Sequence, residues 1–312
     1  MQDTSRVLLH KYCVRHNTNQ KEQFQEYLKD VLQEIDCEGE KDRWFRFKDS
    51  KNIVFGNPRK AKILLSAHYD TCTQLPLPIR RYPMNRIKNF LGGLPSAYIA
   101  VPLVAFLTIL LFTSKITELQ FSIFMLLAVA LQYFVSIFVA RANPHTHNDN
   151  TSGVILLLEL IKCLDKETLK HVAFIFFDNE EKGLIGSKRY KKKHKDEIKN
   201  QLLINFDCVG DGNTELIIYN AGAEKYIKRI DLEENGVSVM IKSSKCAHYS
   251  SDQNGFPNGI AVVMLNKDER NNYYLDKIHT KNDKICKEEN ISYLCKQWKR
   301  CIESILEDYY KS

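Results

Sequence analysis

Cys-x-x-Cys pairs are absent from a chain that holds nine cysteines, and an odd number cannot all pair within one molecule. A fully disulfide-paired scaffold is therefore excluded, and a reducing compartment is expected. No aromatic-basic module of the RNA-binding kind is present. The formal charge of +7 is spread over basic residues interspersed with acids, so nucleic acid is not an expected partner. The N-terminal MQDTSRVLLHKYC has only a short apolar run before charged residues, which argues against a cleaved secretory signal. There is no internal repeat. The single low-complexity patch, KRYKKKHK (188–195), reads as a solvated helix face, with a lipid-headgroup contact as the alternative.

What the 312 residues do contain is enough for one large α/β domain with an appendage. Phe24, Tyr27, Leu28, Val31, Leu32 and Ile35 follow the spacing of an amphipathic helix. WFRF (44–47), NIVFG (52–56) and AKILLSAHYD (61–70) read as short strands. Further along, HVAFIFFD (171–178), QLLINFD (201–207), ELIIYN (215–220), VSVMIK (237–242) and GIAVVML (259–265) are strand candidates. Helices are expected at 151–164, 184–194, 224–232 and 288–310. Near-continuous apolar strands alternating with helices predict a mixed, mostly parallel central sheet covered on both faces, with ligands at the carboxyl ends of its strands.

The chemistry-bearing residues gather at such strand ends. His68 and Asp70 close one strand, Glu180 and Glu181 follow FIFFD, Asp207 follows LLINF, and Asp149 opens the helix beginning Asn150-Thr151-Ser152-Gly153. One imidazole and several carboxylates suit zinc or a related divalent ion, and a bridging carboxylate lets two such ions approach. Asp70 could accept the second ring N–H of His68. Adjacent glutamates at a strand end diverge, so one can bind metal while the other serves as a base. Taken singly, a His-x-Asp pair, a Glu-Glu pair or an Asp after a strand is more often structural. Their order and shared position at strand ends are what point to a site.

LLSAHYD, NDNTSG, FFDNEEKGLIGS, NFDCVG, SDQNGF with GIAVVML, and IHTKND together resemble the di-zinc aminopeptidase family that includes bacterial leucyl aminopeptidases, glutamate carboxypeptidase and glutaminyl cyclase. The resemblance implies His68 and Asp207 on one zinc, Glu181 and His279 on a second, and Asp149 bridging them. It further implies Glu180 as general base, Asp70 behind His68, and recognition of a free α-amino group, hence peptide substrates cut at their N-termini. Two dications would lower the pKa of a shared water, and Glu180 would take its proton as it attacks the scissile carbonyl. The family often has Ser-Asp-His where this chain has Ser251-Asp252-Gln253, so the pocket lining is expected to differ there. Tyr249 or His248 is a candidate donor to the oxyanion. His145 and His147 read as loop histidines without a ligand role. Two other readings share the fold. One is a glutaminyl cyclase-like acyltransferase, disfavoured by the compact run from the glutamates to GLIGS. The other is an inactive membrane scaffold, disfavoured because every site position is filled.

Asp70 and Asp149 are separated by far more chain than is usual in that family. Within it, 90–114 and 119–140 contain no charged side chain, and each is long enough to span a hydrocarbon core of about 30 Å as a helix. The expected organisation is one catalytic domain from 1–74 and 141–312, interrupted by an insertion at 75–140 that carries a transmembrane hairpin. A buried lid or dimer contact is the alternative. Arg80, Arg81, Arg86, Lys88 and Arg141 flank the hairpin, whereas its turn has Lys115 and Glu118. The positive-inside rule then places the hairpin in the cell membrane with the catalytic body in the cytoplasm.

Overall fold

The computed structural model describes residues 2–35, 45–46, 51–75, 79–92, 141–230 and 236–311, together with 106, 117, 119–120, 122–124, 126–128 and 130. The strands are β1 (Phe45–Arg46), β2 (Ile53–Phe55), β3 (Ile63–His68), β4 (Val172–Phe177), β5 (Leu202–Phe206), β6 (Thr214–Tyr219), β7 (Ser238–Ser243), β8 (Gly259–Lys267) and β9 (Tyr273–Tyr274). They form one sheet in the order β1-β2-β4-β3-β5-β8-β6-β7, with β9 paired to β8. The expected parallel pairing holds at the centre and between β6 and β7 at one edge. β4, β3, β5 and β8 run parallel, while β1, β2, β6 and β9 each meet a neighbour antiparallel. The central strands are the ones buried on both faces, which is why they read as continuous apolar runs.

Alternation along those strands sends side chains to two helical layers. Ile63, Leu65, Phe174, Phe176, Ile204 and Phe206 face the larger cluster. There they meet α1 (Gln2–His10), α2 (Thr18–Ile35), α4 (Ser152–Cys163) and the long α6 (Glu288–Lys311), where Trp298 stands edge-on to Phe206 with ring centroids 5.6 Å apart. Leu64, Ala173, Ile175, Phe177 and Leu203 face the other side, against Tyr190 of α5 (Ile185–Lys193) and Ile198. The helix expected over 224–232 is shorter, ending at Ile227. All eight described cysteines are free.

The insertion begins and ends at one place. Thr73 bridges Ala142, and the Gln74 N–H donates to the Arg141 carbonyl at 2.9 Å. Its first stretch packs on the body: Ile79 is buried beside Leu275 and Ile278, and α3 (Arg86–Gly92) follows. Of the expected hairpin, most of 93–140 lies outside the described residues. Thr117 and Gln120 exchange side-chain to backbone hydrogen bonds (3.1 and 3.3 Å), a capping box, and the described residues from 119 to 130 are helical. Among the described residues no helix is long and apolar enough to cross a membrane.

Candidate active site

Three parallel strands deliver the first residues. His68 ends β3 in register with Phe177 of β4, and Ser66 is in register with Asn205 of β5, so His68, Glu180–Glu181 and Asp207 emerge at one sheet edge. Asp149 arrives from the turn before α4, and His279 from the loop after β9. Asp149 presents one oxygen to each histidine. Its Oδ1 is 3.3 Å from His68 Nε2 and its Oδ2 is 3.0 Å from His279 Nε2. Asp207 Oδ1 lies 3.6 Å from His68 Nε2, and Glu181 Oε2 lies 3.5 Å from His279 Nε2. Glu180 shares a cluster with His68 and Glu181. All five expected metal ligands and the expected base are thus brought together.

The sequence motifs are the clasps that hold them. In NDNTSG, Asp283 accepts the N–H groups of Asn148 (2.8 Å) and Asp149 (3.0 Å) on its two oxygens. Asn148 Oδ1 takes the Gly210 and Asp211 N–H groups, and Asn150 ties α4 to the end of β5 through the Phe206 carbonyl. A Cβ on Gly153 would stand 2.6 Å from that carbonyl, so only glycine allows the approach. In FFDNEEKGLIGS, Gly186 passes equally close to the Asp178 main chain, and Asp178 holds a buried ion pair with Lys21 at 2.6 Å.

Asp70 stands behind His68 but meets its ring mainly through the main chain. The Nδ1 of His68 lies 3.1 Å from the Asp70 main-chain carbonyl and 3.6 Å from its carboxylate. The carboxylate instead accepts the N–H groups of Glu180 (2.9 Å) and Glu181 (3.2 Å), fixing the corner that carries both glutamates. Gln253, expected to alter the pocket lining, is 2% exposed and bonded to the Tyr249 carbonyl; Tyr249, Ser250 and Asn254 line the cavity in its place. His145 and His147 stand edge-to-face with each other, outside the acidic cluster.

The electrostatics are those of a site built for cations. Burial raises Glu181 well above the usual carboxyl range, and the Asp149 charge adds to it. Glu180 is likewise raised by burial, against the opposing pull of His68. Burial alone would lower His68, but Asp149, Asp207 and Asp70 push it well above the usual imidazole value. Asp149 is also desolvated, yet hydrogen bonds with His279 and His68 lower it. Buried Glu181 Oε1 and Asp207 Oδ1 have no hydrogen-bond partner. Buried charges of this kind are stable only when paired or coordinated, so the donor set fits divalent ions.

Three further residues belong to the site and were not singled out from the sequence. Cys72 groups with Glu181 and His279. Asp252, fully buried, is pushed up to about 7 by burial. Asp283, pushed up to about 8 by burial and by Asp149, closes the IHTKND motif, which was the available signal. The site opens into a cavity of about 590 Å³.

The molecule is a mixed α/β domain with a carboxylate–imidazole cluster at the carboxyl ends of its central strands. Residues 140–294 match the model of peptidase family M28, and the chain carries a domain of that family. Its fold is similar to that of LapA from Legionella pneumophila, with a TM-score of 0.55 at 17% identity over 97% of this chain and 71% of that one. It is similar also to glutaminyl cyclases from Porphyromonas gingivalis (TM-score 0.55, 14% identity, 97% and 98% covered) and Macrostomum lignano (0.50, 12%, 98% and 88%). At these identities the likeness is one of fold alone. No curated protein sequence matches the chain.

Proposed function

We propose that this protein is a membrane-anchored, zinc-dependent aminopeptidase acting on peptides with a free N-terminus. The observation that carries the reading is Asp149, whose two oxygens face two histidines, each of which also faces a further carboxylate. His68 and Asp207 would hold one ion, His279 and Glu181 a second, and Asp149 both. Zinc held there would acidify a water and polarise the scissile carbonyl. Glu180 is the base: it takes a proton from the attacking water and returns it to the leaving amine nitrogen. Asp70 keeps Glu180 in place through its main-chain N–H. Tyr249, whose hydroxyl is held neutral by burial and by Asp207, or His248 beside it in the cavity wall, would donate a hydrogen bond to the oxyanion.

Hydrolysis is favoured over cyclisation by the tight turn after the glutamates, where the N–H groups of Gly183 and Leu184 both return to the Glu180 carbonyl at 2.8 Å. Membrane anchoring is supported by exposed apolar side chains in the insertion: Ile87, Phe90 and Leu91 on α3, and Leu119, Ile123, Leu126 and Leu127 beyond it. The flanking basic residues orient the hairpin with the catalytic body in the cytoplasm. The test is metal content of the detergent-extracted protein, together with incubation with peptides bearing free, acetylated or glutaminyl N-termini. Amino acids should be released only from free N-termini, with about two metals per chain. Conversion of N-terminal glutamine to pyroglutamate without hydrolysis would reverse the assignment in favour of the cyclase.

A further inference from the structure

The cavity that opens from the carboxylate cluster has one wall contributed by the insertion. Arg81 and Asn89 stand in that wall beside Ala247, His248 and Ile278. The wall is fixed to the body: the Arg81 N–H donates to the Leu275 carbonyl at 2.9 Å, and the Leu275 N–H returns to the Arg81 carbonyl at 2.8 Å. Asn89 Nδ2 donates to the His248 carbonyl at 3.2 Å.

This bridge decides where the two consecutive arginines point. Residues that alternate along an extended pair face opposite sides. Arg80 stacks its guanidinium over the Tyr274 ring at 4.8 Å, and Tyr82 packs against the same ring at 6.0 Å, so Arg80 and Tyr82 share the outer face. Arg81 lies on the face of Leu275, which is buried with Ala247, Cys208 and Ile278 at the cavity wall. Arg81 is half-buried, and among the described residues its guanidinium forms no ion pair. The cavity holds Asp149, Glu180, Glu181 and Asp207, yet Arg81 pairs with none of them. A partnerless guanidinium in a cavity presents a fork matched to a planar or tetrahedral oxyanion, and the oxyanion that a peptide carries is a carboxylate.

We propose that Arg81 is the substrate-selecting residue of this cavity, directing the enzyme to short peptides that carry a carboxylate within reach of the metal end. The carboxylate is either the C-terminus of a dipeptide or an acidic side chain next to the cleaved bond. The proposal rests on the peptidase reading above, and it assigns selectivity to a residue outside 140–294, the stretch matched by the family model.

The experiment uses the full chain in detergent, loaded with zinc, with Ala-Ala and Ala-Ala-amide as one pair and Ala-Glu-amide and Ala-Gln-amide as the other. Wild type should prefer the carboxylate member of at least one pair by about tenfold or more in kcat/KM. The pair showing the preference identifies which carboxylate is read. In Arg81→Ala that ratio should collapse toward one, and Arg81→Lys should retain part of it. Equal rates for both members of both pairs in wild type, or an undiminished ratio in Arg81→Ala, would overturn the proposal. Calorimetric titration of Ala-Ala and Ala-Ala-amide into Glu180→Gln, with and without Arg81→Ala, decides the same point by binding. If no peptide is cleaved, the peptidase reading fails, and selective binding of the acid through Arg81 still stands or falls by itself.

Discussion

In the body, Trp298, Phe174 and Phe206 are fully buried while Asp149, Glu181 and Asp207 crowd one sheet edge. In the described part of the insertion the arrangement is inverted. Leu119, Leu126 and Leu127 are 70%, 71% and 63% exposed, and Lys88 and Arg141 are exposed beside them. The body buries its apolar side chains against its own helices and gathers its unpartnered carboxylate oxygens at the one site that fits cations. The insertion leaves apolar surface that nothing described in the chain covers. One physical rule, that apolar area leaves water, would produce both patterns if the insertion lies in a bilayer, as proposed.

The sharpest way to break this comparison is to put charge on the insertion. Replacing Leu126 and Leu127 together by Arg, at roughly 2.5–3.5 kcal/mol each in a bilayer interior, should shift the protein from the detergent-dependent to the salt-extractable fraction. In a cysteine-free background, a cysteine at Thr117 should react with an impermeant reagent outside intact cells, and one at Arg86 should not. Wild-type protein recovered without detergent would mean that the apolar segment packs on protein.

The corresponding intervention in the body is at the paired glutamates. Glu180→Gln should retain metal, measured by elemental analysis, and lose activity by about a hundredfold or more. Glu181→Ala should lose metal as well as activity. Normal turnover in Glu180→Gln would remove the base from the mechanism.

A buried carboxylate away from the site tests how strictly the body requires partners for charge. Glu215 on β6 accepts hydrogen bonds from Trp298 (2.9 Å) and Tyr293 (2.8 Å), and burial pushes it up to about 7. The unfolded chain loses this proton near the ordinary carboxyl value, so between about pH 4.5 and 7 only the folded state keeps it. Stability from this group is therefore fully present below that window and is lost as pH rises through it to 7, by about 3 kcal/mol. Glu215→Gln should flatten the fall in Tm between pH 5 and 7.5. An unchanged slope would place the ionisation elsewhere.

The smallest expected effect concerns Asp283, which touches the main chain behind Asp149. Asp283→Ala should weaken zinc affinity by about tenfold in chelator competition, as loss of a supporting hydrogen bond does at metal sites. Affinity unchanged from wild type would mean that NDNTSG holds Asp149 unaided.

Much of the body was legible because its signals are local. β3, β4 and β5 read as apolar runs since both faces are covered, and α2 and α6 show helical spacing. The two-residue β9, the short α3 and the early end of the helix at Ile227 had no such signal, because each depends on what packs against it. His68, Asp149, Glu180, Glu181, Asp207 and His279 were readable from strand-end position and motif. Cys72 and Asp252 were not, since loops far apart in sequence bring them to the cluster.

By itself the sequence determined the strand-and-helix alternation, the residue types available for metal chemistry and the two uncharged stretches of the insertion, because periodicity and composition are properties of neighbouring residues. Tertiary structure alone decided that Asp149 offers one oxygen to each histidine, that the Asp70 carboxylate hydrogen-bonds the glutamate corner while its main-chain carbonyl takes the His68 ring, and that Arg80 and Arg81 face opposite ways. Those outcomes depend on angstrom-scale register between strands and loops, which β-pairing imposes only once the chain has closed on itself.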